Sequence, residues 1–168
     1  MGEATLNRAT VQRLLHRFVY LATDEVGDEL LAAALFGSVA RDEAREGSDL
    51  DVLVVVERER REVGAALVRA QLALRRSVEY LALGDRSEAP DVSLLMLDRR
   101  RLSSHPWILM DVALDGIVLV DKAGLLEREL EAVRRRMAEL GSRRVPLPDG
   151  RWYWDVKPGS RPGEAIAL

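Results

Sequence analysis

Residues 35–57 read LFGSVARDEAREGSDLDVLVVVE. Gly37-Ser38 ends one apolar run, residues 39–48 intervene, and Asp49-Leu50-Asp51 opens a second run. Side chains alternate across a strand, so Asp49 and Asp51 face one side while Leu50 and Val52 face the other. The two carboxylates therefore converge. Like charges this close raise one another's pKa unless a cation intervenes, and two carboxylates on one edge are a natural seat for magnesium. The plainer alternative is a solvated junction, in a chain that holds 28 acidic residues. Gly37-Ser38 shifts the weight, because glycine permits close backbone approach and amides at a helix start can hold a phosphate. A phosphate cradle beside a two-carboxylate metal seat is what a nucleoside triphosphate requires.

Working outward, Leu50–Val56 is dense in β-branched residues and ends in the charged run 57–62, which predicts a buried strand. Leu30–Phe36 predicts another, stopped by Gly37-Ser38, and 38–44 a short helix with Ser38 at its cap. Val11, Leu14, Leu15, Phe18, Val19 and Ala22 recur at helical spacing and predict a helix over 7–25 that Gly27 ends. Beyond the central strand, Val63, Leu67, Ala70 and Leu74 predict a helix to Arg76. Residues 78–83 then read as a third strand, 85–90 as a turn and 92–97 as a fourth strand. Pro106 suits the first turn of a helix reaching Leu114, Gly116 ends it, and 117–120 makes a short fifth strand.

Helices interleaved with strands predict an α/β (α+β) layered domain, a mixed sheet of about five strands packed by helices. We divide the chain into a domain over 1–122, a C-terminal helix over 123–141 and a Pro/Gly-rich aromatic tail over 142–168. In that helix Leu126, Leu130, Val133, Met137 and Leu140 form a narrow apolar stripe, expected to pack on its own domain rather than to form a dimer seam. The tail holds Trp152, Tyr153 and Trp154, with a hairpin signal at Asp149-Gly150.

Composition excludes several classes. The 168 residues, 48% hydrophobic, suffice for one full core. No cysteine is present, which excludes disulfides, thiolate metal sites and cysteine nucleophiles. The net charge of -3 arises from 25 basic and 28 acidic residues, so no global basic surface points to nucleic acid. The N-terminal stretch lacks the basic start and apolar run of a signal peptide, and the longest apolar runs are strand-length, so a cytoplasmic protein is expected.

Gly-Ser, ten residues, then Asp-x-Asp resembles the signature of the nucleotidyltransferase superfamily typified by DNA polymerase beta. More closely, it resembles the minimal nucleotidyltransferases of that superfamily, of the MntA-like antitoxin type. Ala40, Arg41, Ser48 and the apolar 52–56 fit that pattern too. Asp42 departs from it, standing where these proteins usually carry glycine after the arginine. The resemblance extends over roughly 8–121 and implies a polymerase-beta-like nucleotidyltransferase fold.

It also implies a third carboxylate on a later strand. Asp91, opening the run VSLLML, matches in order and context; Glu79 is the second choice, and Asp98 lies at the far end of its strand. By the same resemblance Asp49, Asp51 and Asp91 are catalytic acids and ligands of two magnesium ions, and Gly37, Ser38, Arg41 and Ser48 contact the nucleotide. The implied reaction moves AMP from ATP to an acceptor hydroxyl and releases pyrophosphate. Arg41 either meets phosphate charge or braces its helix.

Larger relatives bind the acceptor with a separate helical domain, for which this chain has no evident room. Either a partner supplies the acceptor site or the acceptor is itself a protein, and the resemblance implies the latter, a small helical HEPN toxin that such antitoxins adenylylate. Docking could use the stripe 126–140 or the aromatics 152–154. Two other readings are transfer to a small molecule such as an aminoglycoside, across a homodimer, and a silent nucleotide-binding or scaffold module. His16 and His105 lack a partner at ligand spacing, and the basic triplets 99–101 and 134–136 read as solvated helix faces.

Overall fold

The elements run α1 (Arg8–Val26), β1 (Leu30–Phe36), α2 (Gly37–Ala40), β2 (Leu50–Val56), α3 (Arg61–Leu74), α4 (Val78–Leu81), β3 (Val92–Asp98) and α5 (Arg99–Leu102). They continue with α6 (Ile108–Asp115), β4 (Ile117–Asp121), α7 (Leu125–Leu140), β5 (Arg143–Pro146) and β6 (Trp152–Asp155). This is a computed structural model, and it describes residues 8–45, 47–83, 89–161 and 163–168. The turn expected at 85–90 falls mostly outside the described residues.

Four strands make the main sheet, in the order β3-β2-β1-β4. β1 is antiparallel to both β2 and β4, whereas β2 and β3 are parallel. A parallel pair needs a crossover, which α3 and α4 supply. The central strands β1 and β2 are apolar almost throughout because both faces of the sheet are covered. On one face Leu14, Leu15 and Phe18 of α1 and Val63, Leu67 and Ala70 of α3 pack on Leu50, Val52 and Val54. The other face carries Leu53 and Val55 under Leu109, Met110 and Val112 of α6 and Leu126, Leu130 and Val133 of α7. The α7 stripe is thus core packing within the chain.

Two expectations are corrected. Among the described residues the main sheet has four strands rather than about five, because residues 78–81 are helical. The side chain of Ser77 accepts from the Tyr80 backbone N–H and caps a turn of helix that buries Tyr80. An apolar alternation that reads as a strand is, at this length, equally a single helical turn. The helix after β1 begins at Gly37, so Ser38 lies inside it and Phe36 takes the cap position without a side-chain bond.

Two further ends are set by local chemistry. Asp98 accepts the Arg101 N–H at 2.7 Å and starts α5 directly from the end of β3. The Asp121 carboxylate accepts the N–H groups of Leu126 and Glu127 at 2.9 and 3.0 Å, which anchors the start of α7 to the end of β4. After Gly141 the chain returns as the antiparallel hairpin β5–β6, apart from the main sheet.

Candidate active site

The sheet places Phe36, last residue of β1, opposite Asp51 near the start of β2. Gly37 follows with φ +78°, a left-handed conformation that glycine adopts freely. A Cβ on Gly37 would overlap the Asp51 carboxylate, with Oδ2 in hard contact and Cγ only 3.1 Å away. The two halves of the signature therefore touch. Ten residues of loop are what brings them there, since β1 and β2 run antiparallel and α2 must turn between them.

Asp51 is half-buried, and Asp49 is exposed at the mouth of the strand. Burial pushes the Asp51 carboxyl above the ordinary aspartate range, and the charge of Asp49 adds to this. A hydrogen bond from Ser93 and the charge of Arg41 work the other way. Ser93 is the residue of β3 in register with Asp51, so its hydroxyl reaches the carboxylate along the sheet. Two acids of which one resists ionisation are a fit for a divalent cation, which would satisfy both.

Asp91 lies just before β3 and holds the Leu50 N–H by its backbone carbonyl at 2.7 Å, level with Asp49. Its carboxylate is engaged with Arg75 at 2.6 Å. Among the described residues no group of three acidic, histidine or cysteine side chains converges as a ready metal site. Glu79 sits on α4 against Arg17, 3.7 Å away, and Asp98 is occupied in capping α5.

Arg41 follows α2. Its Nε donates to Glu43 at 2.7 Å, and its guanidinium carbon lies 5.6 Å from the Trp152 ring centroid. Ser48 folds the loop before β2: its hydroxyl accepts the Arg45 N–H at 2.8 Å. Asp42 has φ +57°, which explains why glycine is the usual residue at this position of the pattern and shows that aspartate can occupy it.

The sequence did not single out Ser93, and a lone strand serine carries no signal of its own; only the β2–β3 register reveals it. The approach of Trp152 to Arg41 was equally hidden, although the tail aromatics were conspicuous. His105, expected at the surface or in a cap, is instead mostly buried and bonded to Glu129 of α7 at 2.7 Å, and Arg99 and Arg101 pair with Glu57 and Glu59.

No curated protein sequence matches the chain. Among solved structures, spectinomycin adenyltransferase from Enterococcus faecialis, determined with ATP and spectinomycin, is similar at 15% identity. The match covers 76% of this chain and 66% of that one with a TM-score of 0.54. A toxin–antitoxin MntA–HpeT mutant is similar at 17% identity over 76% of this chain and 92% of that one, TM-score 0.49. So is a tri-AMPylated Shewanella oneidensis HEPN toxin in complex with MNT antitoxin, at 17% identity over 77% and 92%, TM-score 0.44. Residues 24–100 match the family model for the nucleotidyltransferase domain, a span that includes β1, α2, β2 and β3 and with them every residue of the signature. Residues 24–100 are therefore similar to a nucleotidyltransferase domain, and the chain has a nucleotidyltransferase fold.

Proposed function

We propose that the chain transfers a nucleotidyl group, AMP from ATP, to a hydroxyl on a partner protein, in the manner of an antitoxin that adenylylates a HEPN toxin. The observation that carries the transfer chemistry is the contact of Gly37 with the Asp51 carboxylate, which sets the phosphate-approach backbone against the acidic edge. The partner rests on the resemblance of the signature to minimal nucleotidyltransferases.

In this reading Asp49 and Asp51 hold magnesium, with Asp91 contributing to a second ion once it leaves Arg75. Bound there, the metal ions would neutralise triphosphate charge and polarise the α-phosphorus. Gly37 and Ser38 face the β and γ phosphates with backbone amides, and Ser48 keeps the loop before Asp49 folded against them. Arg41 supplies positive charge beside Asp51. The acceptor oxygen forms a bond to the α-phosphorus, the bond to the α–β bridging oxygen breaks, and pyrophosphate leaves. Asp91 takes the acceptor proton.

The test is incubation with α-labelled ATP, magnesium and the purified product of the adjacent reading frame, wild type against Asp51→Asn. Label on that protein which the substitution removes supports the reading. Label on an aminoglycoside instead would replace the protein acceptor with a small-molecule one. Tight magnesium-dependent ATP binding with no labelled product would make the chain a silent binding module.

A further inference from the structure

We infer that Trp152, on the C-terminal hairpin and outside the nucleotidyltransferase domain match, is a positioning residue that holds the Arg41 guanidinium ready for the triphosphate. The inference rests on the reading of Arg41 as a nucleotide contact.

The hairpin is anchored independently of the site. Trp152 and Trp154 alternate to one face of β6, edge to face with centroids 5.7 Å apart, while Tyr153 points outward. Arg144, opposite Trp154 in the ladder, lies 4.3 Å from the Trp152 centroid and 5.0 Å from that of Trp154. It pairs with Asp111 at 3.1 Å and with Asp115, both on α6, and the Trp154 Nε1–H donates to Asp111 at 3.2 Å. Burial works against the Arg144 charge, but the carboxylates of Asp115 and Asp111 hold its proton more firmly than usual. The Trp152 ring is thus fixed from the α6 side.

Arg41 belongs to the turn after the Gly-Ser pair, far away in sequence. Its side chain is 18% exposed, held between the Trp152 ring and the Glu43 carboxylate. A free arginine loses much rotamer freedom when it docks on a phosphate; one held in advance loses less. The face of an indole is the strongest aromatic partner for a guanidinium. Glu43 alone, exposed and two residues away, cannot fix the plane of that group. An aromatic ring at 152 therefore strengthens binding of the nucleotide through Arg41 without touching the nucleotide.

The experiment measures the affinity of the full chain for α,β-methylene ATP with magnesium, alongside melting curves. Trp152→Leu should weaken binding about fivefold. Trp152→Phe, which keeps a ring, should stay within about twofold of wild type. In an Arg41→Ala background Trp152→Leu should have no further effect, because the residue through which it acts is gone. Trp152→Met, similar in volume but without a ring, replaces the leucine variant if that does not fold. Wild-type affinity in Trp152→Leu or Trp152→Met, or an equal loss with and without Arg41, overturns the inference. Asp51→Asn separates the two levels. If it binds as wild type, the nucleotide site itself is wrong; if it loses binding while the Trp152 variants keep theirs, only the positioning role fails.

Discussion

Gly37 and Asp51 are in van der Waals contact across the β1–β2 edge, with glycine in the left-handed region and no space for a single extra carbon. In the proposed reading this contact makes the glycine as necessary as the acid, since a Cβ at 37 cannot coexist with the present position of the Asp51 carboxylate. Gly37→Ala should cost about 1–2 kcal/mol from backbone conformation alone. The new methyl would also displace the Asp51 carboxylate, so transfer should fall by at least about a hundredfold, a loss of ~2.7 kcal/mol of transition-state stabilisation. Chemical denaturation and a transfer assay on the same preparation check both parts.

The acid itself is a burden to the free protein. Burial first, and then Asp49, raise the Asp51 pKa in the folded chain, so the folded state binds this proton more tightly than the unfolded state does. Its stabilising contribution is present at low pH and declines as pH rises from about 3.9, the unfolded value, through the raised folded value. Asp51→Asn should abolish that decline and raise the melting temperature near pH 7 in the absence of magnesium. Magnesium should then raise the melting temperature of the wild type and leave that of the variant unmoved. An unchanged melting temperature in metal-free Asp51→Asn would contradict the electrostatic account.

Asp42 occupies a left-handed position with its side chain exposed. Asp42→Gly should stabilise the fold by roughly 0.5–1 kcal/mol, the relief of left-handed strain less the greater freedom glycine has when unfolded. Nucleotide binding should be unaffected. Urea titration measures the change, and a loss of stability would mean that the aspartate side chain does more than fill the turn.

Arg134 ties α7 to α6 by donating to the Ala113 carbonyl at 2.8 Å, and pairs with Glu127 on its own helix. Arg134→Ala should cost about 1 kcal/mol through that hydrogen bond. Because its partners are Ala113, Glu127 and Glu131 rather than any residue of the Gly37–Asp51 edge, transfer and magnesium-dependent triphosphate binding should keep their wild-type values. A matched pair of melting curves and binding isotherms decides this.

The strands at 30–36 and 50–56 were legible because burial on both faces leaves long apolar runs, the partly exposed edge strand at 92–98 because it is still an apolar run, and the amphipathic helices because their stripes repeat. The turn of helix at 78–81 was not, since Val78, Tyr80 and Leu81 over so short a span fit either period and Ser77 decides the outcome by a hydrogen bond. Within the site, the closeness of Gly37 to Asp51 was implied by the resemblance of the Gly-Ser and Asp-x-Asp pattern to the nucleotidyltransferase signature, not by spacing alone. Ser93 became visible only through strand register, and Trp152 only through the fold of the tail, because neither contact leaves a local trace. The third acid is the point at which spacing gives least: Asp91 stands level with Asp49, yet its carboxylate is turned to Arg75.

The most direct measurement of the central claim uses ATP labelled separately at the α and γ positions, with magnesium and the acceptor protein, for wild type and Asp49→Asn. We predict that the α label moves to the acceptor, that the γ label leaves as pyrophosphate, and that Asp49→Asn stops both. Arrival of the γ label on the acceptor, or transfer that survives Asp49→Asn, would contradict nucleotidyl transfer at this site.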